Sequence, residues 1–159
     1  MIKIIGIGNS LMGDDSIALK VIDSIQKKVE ELESDIKCIK AETDFDFALD
    51  NIEDGDYLFI LDGTLLGLEY GQVTQIPLAQ VEKYSTYSLS IHNLNLLSLI
   101  NHFNVKVEGL ILGIEVVQVK FSLEISQELK DRFKKICFQV YTIIKEKSLE
   151  YKKKGVNNA

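Results

Sequence analysis

The sequence predicts a parallel α/β fold that forms one domain. Short apolar runs alternate with segments whose apolar residues recur at helical spacing, an order typical of parallel sheets covered by helices. The chain has 159 residues, 46% of them hydrophobic, which is enough to form a single core. We find no internal repeat, linker or low-complexity stretch. We therefore predict one α/β domain over 1–150 and a polar C-terminal tail over 151–159.

Five segments of the chain are predicted to be strands. The run over 57–61 is continuously apolar, as a central strand covered on both faces should be, and it stops at Asp62 and Gly63. The segment 36–41 is less apolar and the segment 71–77 carries the only proline, so we expect both near sheet edges. In chain order the predicted strands are 3–7, 36–41, 57–61, 71–77 and 109–114.

The segments between these strands are predicted to be helices. The segment 14–32 carries one apolar face, formed by Ile17, Val21, Ile22, Ile25, Val29 and Leu32. A short helix is expected over 45–52 and another over 92–103. The last helix should run from about residue 126 to the late 140s, because its apolar stripe ends at Ile144. From Tyr151 onward the chain is expected to fray.

The composition excludes several classes of function. The formal net charge is −6 and the pI is about 5.0, whereas sequence-independent nucleic-acid binding needs a basic surface. No window approaches 18 uncharged apolar residues, so we predict no membrane insertion. Cys38 and Cys137 form no CxxC pattern, which favours two buried thiols in a reducing compartment. A cytoplasmic protein is predicted.

A glycine-rich loop joins the first strand to the first helix. Its sequence lacks the third glycine of the dinucleotide fingerprint, since Leu11 stands there. It does match the GxxxxG spacing of a phosphate loop, but Asp14 and Asp15 occupy the positions of the lysine and hydroxyl residue. Two carboxylates would repel a polyphosphate, which disfavours a nucleotide-binding regulator. We expect Asp14 to cap or orient the helix and Asp15 to face the crevice.

Asp62 and His92 are the other candidate site residues. Asp62 ends the central strand, so it projects from the sheet edge that also carries the glycine loop. His92 lies near the start of a predicted helix, where the dipole favours the neutral imidazole that binds metals. His102, at the far end of that helix, is a poor candidate. Two carboxylates and one imidazole accept nickel, zinc or manganese, and the residues do not distinguish among these metals.

Four motifs together resemble those of the hydrogenase maturation endopeptidases. Residues 6–15, GIGNSLMGDD, resemble the N-terminal motif of that family, and 58–64, LFILDGT, resemble its second motif. Residues 90–94, SIHNL, are similar to its Ser/Thr-x-His segment, and 113–115, GIE, resemble the stretch after its last strand. The motifs occur in the order seen in the family and span almost the whole chain.

The resemblance implies a three-layer fold, with a twisted, mostly parallel sheet of about five strands between helices. It also implies an endopeptidase that removes the C-terminal extension of a nickel–iron hydrogenase large-subunit precursor after nickel insertion. The family's metal-binding and catalytic residues correspond to Asp15, Asp62 and His92, and the nickel is carried by the substrate, although other divalent metals fit the same donors. Asn9, Asp14, Thr43 and Asn93 are candidates for substrate-contacting loops. A carboxylate or a metal-bound water could act in hydrolysis, and both remain open.

One loop departs from the family pattern. Residues 40–43 read KAET where the family usually shows Asp-Gly-Gly-Thr, so that only Thr43 fits. That loop is associated with substrate recognition. The departure motivates a second hypothesis, in which the chain is a non-catalytic nickel- or peptide-binding relative that acts as a maturation chaperone.

Overall fold

The computed structural model of the chain describes residues 1–33, 35–81 and 91–157, with the backbone alone at 91–94 and 156–157. Within these ranges the chain forms five strands and four α-helices. The strands are β1 (Ile2–Ile7), β2 (Ile36–Glu42), β3 (Tyr57–Thr64), β4 (Val73–Pro77) and β5 (Glu108–Glu115). The helices are α1 (Ile17–Glu30), α2 (Phe45–Asp50), α3 (Ile91–His102) and α4 (Gln127–Asn157). Short 3-10 turns cover Asp14–Ser16 and Leu78–Gln80.

The five strands form one sheet in the order β2-β1-β3-β5-β4. β1, β2, β3 and β5 are parallel, and β4 pairs with β5 in the antiparallel sense. The prediction of a central third strand is confirmed, as is the placement of β2 and β4 at the two edges. The proline in β4 ends that edge strand, where a missing backbone donor is tolerated.

Helices cover both faces of the sheet, which produces three layers. On one face α1 and α4 pack on the sheet through the apolar stripes predicted for them, with Val21, Ile22, Leu129 and Ile136 all buried. On the other face α2 and α3 contribute a second core. The predicted α/β class and three-layer architecture are confirmed. Among the described residues, no helix combines the length and apolarity needed to cross a bilayer.

Two elements extend well beyond their predicted ends. β3 does not stop before Asp62, because its ladder with β5 continues through Gly63 to the pair Thr64–Glu115. α4 does not fray at Tyr151 but continues to Asn157. The Tyr151 ring packs on Tyr57 with centroids 4.7 Å apart, and its hydroxyl donates to the Gly55 carbonyl at 2.8 Å. These contacts, distant in sequence, hold the last turns of the helix against the sheet.

Candidate active site

The glycine loop after β1 folds back tightly against the turn that starts the first helix. Gly8 has a φ of 139°, and a Cβ at this position would lie 1.9 Å from the Asp15 carbonyl oxygen. Only glycine fits there, since it combines that backbone conformation with room for the approaching chain. The Gly8 amide donates to the Glu42 carbonyl at 3.0 Å. The loop is therefore fixed between the end of β2 and the residues around Asp15.

Asp15 lies on this folded loop and is 7% exposed. Its Oδ2 accepts a hydrogen bond from the Asn9 amide at 2.7 Å. The Asn9 side chain turns the other way, with its Oδ1 accepting from the Leu11 amide at 2.9 Å. In the structure Asn9 shapes the loop on which Asp15 lies, and its contact with substrate stays a prediction.

Asp62 is fully buried near the carboxyl end of β3. The ladder between β1 and β3 ends at the pair Gly6–Leu61, one residue before Asp62, whereas the ladder with β5 continues past it. Asp62 thus follows the point where the glycine loop leaves the sheet. A Cβ on the next residue, Gly63, would lie 3.7 Å from the Asp14 carbonyl oxygen. The structure therefore brings the two predicted acids to one edge of the sheet.

The third predicted ligand falls outside the described side chains. His92 lies in the first turn of α3, as predicted, but its side chain and that of Asn93 are not among those described. Among the described residues, no group of three or more His, Cys, Asp or Glu side chains is arranged to hold a metal ion. The assignments of His92 and Asn93 remain predictions.

Asp14 plays a different part from Asp15. Its carboxylate is 2% exposed and accepts hydrogen bonds from three backbone amides: Val117 at 3.1 Å, Gln118 at 3.4 Å and Ser126 at 2.5 Å. Ser126 immediately precedes α4, so a carboxylate more than a hundred residues away in sequence closes the start of that helix and fixes the loop before it. Hydrogen bonds to a charged acceptor contribute about 1.5–3 kcal/mol each.

Glu115 holds a second loop at the same edge, a role that the sequence analysis missed. Its carboxylate is 2% exposed and accepts from the amides of Leu66, Gly67 and Leu68 at 2.9, 2.8 and 3.2 Å. The Thr64 hydroxyl donates to it at 3.4 Å. These residues directly follow Asp62 and Gly63. The signal was available, since Glu115 is also an acid at the carboxyl end of a buried strand.

The loop 40–43 is compatible with the fold despite its altered sequence. Lys40 forms an exposed ion pair with Asp23 at 2.6 Å, and Ala41 is buried. Glu42 has a φ of 53°, a left-handed conformation that costs roughly 1–2 kcal/mol for a residue other than glycine. Its carboxylate accepts from the Ser10 hydroxyl at 3.0 Å. Thr43 lines a groove of about 780 Å³ between this loop and α3, and His102 lies at the groove's other wall.

Neither cysteine is suited to act as a nucleophile. Burial raises the pKa of the Cys38 thiol to about 12, and the nearby Glu30 carboxylate adds to this shift. Burial also raises the pKa of Cys137. Both thiols are free and remain protonated at neutral pH, whereas thiol catalysis requires the thiolate.

Comparison with known proteins identifies the class of enzyme to which this fold and the acids at its carboxyl edge belong. The sequence profile of the family described as hydrogenase maturation protease matches residues 19–143, a range that includes Asp62 and His92 but begins after Asp15. A protein of Methanocaldococcus jannaschii assigned to the hydrogenase maturation proteases is 30% identical over 155 residues, which cover 92% of this chain and 89% of the relative.

Solved structures show the same fold. The hydrogenase maturating endopeptidase HybD of Escherichia coli superposes with a TM-score of 0.75 at 16% identity, over 92% of this chain and 93% of that one. The [NiFe] hydrogenase maturation protease HybD of Thermococcus kodakarensis gives a TM-score of 0.67 at 22% identity, over 90% and 98% of the two chains. This chain belongs to the hydrogenase maturation protease family. It is accordingly a peptide hydrolase.

Proposed function

We propose that this enzyme removes the C-terminal extension of a nickel–iron hydrogenase large-subunit precursor after nickel has been inserted. In this proposal Asp15, Asp62 and His92 bind the nickel that the precursor carries, so that the metal belongs to the substrate. Binding the inserted nickel would make cleavage a check on whether insertion has occurred. A cytoplasmic location stays a prediction.

The observation that carries this proposal is the position of Asp62. It is fully buried one residue beyond the end of the β1–β3 ladder, at the edge to which the loop carrying Asp15 returns. Ligands of open parallel sheets bind beyond the carboxyl ends of the strands, where such acids can reach them.

The chemistry of the donors fits a divalent cation such as nickel. Carboxylate oxygens and a neutral imidazole suit nickel, zinc and manganese. His92 lies at the amino end of α3, where the helix dipole disfavours the imidazolium form. A carboxylate at this edge could also serve as the general base that activates water for hydrolysis.

The acids at this edge of the sheet have two different roles. Asp14 and Glu115 accept backbone amides and so fix the loops on either side of the site. Asp15 and Asp62 are the acids that we assign to the metal. The candidates for contacts with the substrate peptide remain Asn9 and Asp14 in the glycine loop, Thr43 after β2 and Asn93 at the start of α3.

The test is cleavage of a nickel-loaded precursor by Asp62→Asn, followed by intact-mass analysis. Asparagine keeps the size of the side chain but removes its charge. We expect processing to fall by at least about a hundredfold, since changing even the outer partners of metal ligands alters affinity or activity by about 10- to 100-fold. The matched control is Asp56→Asn, which alters a buried acid just before the other end of β3.

The control should process the precursor at the wild-type rate per folded molecule, with the folded fraction measured by circular dichroism. Normal processing by Asp62→Asn would overturn the assignment of Asp62. If the wild-type enzyme binds the nickel-loaded precursor and leaves its mass unchanged, the result would support the chaperone hypothesis instead.

A further inference from the structure

Four large apolar side chains are exposed on two loops beside the candidate site. Leu11 is 50% exposed, Val119 45%, Phe121 77% and Leu123 67%. We refer to these four residues as the apolar loop surface. Scattered exposed apolar residues are common, but a group of them on adjacent segments marks an interaction site.

Backbone pairing brings the two loops together. Met12 forms a parallel bridge with Ser122, and Gly13 forms an antiparallel bridge with Val119. The Ser122 amide donates to the Leu11 carbonyl at 3.0 Å, and the Gly13 amide donates to the Ser122 carbonyl at 2.8 Å. In the parallel bridge Leu11 and Phe121 are the preceding residues of the two segments, so their backbones lie about 5 Å apart.

The apolar loop surface is held in place by the interior of the protein. The Asp14 carboxylate accepts the amides of Val117 and Gln118 at one end of the second loop and that of Ser126 at the other. Within the loop, the Ser122 hydroxyl donates to the Glu124 carbonyl at 2.9 Å. A loop ordered before binding avoids much of the entropy loss that weakens association. The fold thus holds in place a backbone whose apolar side chains would gain free energy if a partner covered them.

The second loop itself carries little net charge. Glu124 forms an ion pair with Lys130, which leaves Lys120 as the exposed charge within the second loop. A nucleic acid would require a basic surface, so the chemistry favours an apolar patch on another protein. The first loop also contains Asn9, whose backbone amide donates to Asp15, so the loop that carries Leu11 is joined directly to a candidate site residue.

We infer that the apolar loop surface docks the folded body of the precursor, through an apolar patch next to the segment that is cleaved. The inference rests on the proposed function and adds a second contact to it. The acids engage the metal and the scissile segment, while the apolar loop surface supplies binding energy from a part of the substrate that does not react. Such contacts raise affinity without changing the chemical step.

The experiment compares Phe121→Ser and Leu123→Ser with Phe138→Ser. Phe138 is 69% exposed on α4, so it is a matched aromatic residue outside the two loops. Steady-state cleavage of the nickel-loaded precursor should show KM raised by about tenfold or more in each loop variant, as expected for a residue central to an interface, with kcat unchanged. The Phe138→Ser control should stay within about twofold of wild type.

Binding of the same precursor to the Asp62→Asn enzyme, with and without each of the three serine substitutions, separates the possible failures. Loss of affinity in the loop variants, with none in the control, supports the surface whether or not cleavage occurs. Unchanged KM and Kd in the loop variants would overturn it while leaving the proposed protease intact. If the wild-type chain dimerises in sedimentation, and the loop variants are monomers with unchanged Kd, the surface joins two copies of this chain and the inference is wrong.

Discussion

Buried acids near the two ends of β3 have different surroundings. Just before the amino end, Asp56 is 3% exposed and lies 3.1 Å from the ammonium of Met1 and 3.9 Å from the Lys3 amine. Near the carboxyl end, Asp62 is fully buried at an edge that also holds Asp15. One acid is neutralised by amines from the adjacent strand, and the other lies where the glycine loop leaves the sheet.

The acids at the two ends of β3 also hold different amounts of the neighbouring backbone. At the amino end the charges join the start of the chain to β3, and Asp56 also accepts the Glu53 amide of the adjoining short turn at 2.9 Å. At the carboxyl end, Asp14 and Glu115 accept six backbone amides between them and so shape two loops around the site. Similar burial of carboxylates therefore serves strand packing at one end and the construction of a site at the other.

The largest effect on stability is expected from Asp56→Ala. The change leaves the Lys3 amine buried without its carboxylate, and breaking a buried ion pair costs about 3–5 kcal/mol. Urea unfolding should show a free energy of unfolding lower by about that amount. Cleavage per folded molecule should remain at the wild-type level, because Asp56 lies at the edge away from the site. A selective loss of cleavage in the folded variant would remove the distinction between the two ends.

Glu115→Ala should cost less stability but affect activity. Three amides lose a charged acceptor, and with partial replacement by water we expect a decrease of about 2–4 kcal/mol in the free energy of unfolding. The loop after Asp62 should loosen, which amide hydrogen exchange at 66–68 would detect, and cleavage should fall. Glu115→Gln is the control that keeps one acceptor oxygen and should lose less of both. Full activity in Glu115→Ala would show that the loop need not be held.

The smallest effect is expected from relieving a strained backbone. Glu42 at the carboxyl edge and Asn104 at the amino edge both have positive φ, 53° and 55°. Glycine at position 42 should raise the free energy of unfolding by about 0.5–1 kcal/mol, and Asn104→Gly by less, because asparagine tolerates this conformation better. Cleavage assays should show a changed KM for Glu42→Gly and an unchanged KM for Asn104→Gly. Equal kinetics in the two variants would indicate that the loop 40–43 does not contact the substrate.

Much of the fold could be predicted because its strands are short apolar runs covered on both faces. The apolar composition of β1, β3 and β5 predicts them as buried strands, and the proline predicts β4 as an edge strand. The order of strands and the antiparallel sense of β4 depend on pairing between distant segments, which no local pattern encodes. For the same reason the sequence did not reveal that Tyr151 contacts Tyr57 and extends α4 to Asn157.

In the candidate site too, local sequence predicts some features and contacts between distant residues decide the others. Asp15 and Asp62 could be assigned to one edge because both follow parallel strands, and the carboxyl ends of such strands meet. Asp14 was expected to cap or orient the first helix, whereas its carboxylate holds the loop before α4. The hydrogen-bond partners of Asp14 and Glu115 were not predicted, since they lie up to 112 residues away. The side chain of His92 remains a prediction.

The most direct measurement is the intact mass of the precursor after incubation with this enzyme, with and without nickel in the folded precursor. We expect the nickel-loaded form to lose a short C-terminal peptide and the nickel-free form to stay uncleaved. Equal cleavage of both forms would contradict recognition of the metal by Asp15, Asp62 and His92. An unchanged mass with nickel proven in the precursor would contradict the proposed processing itself.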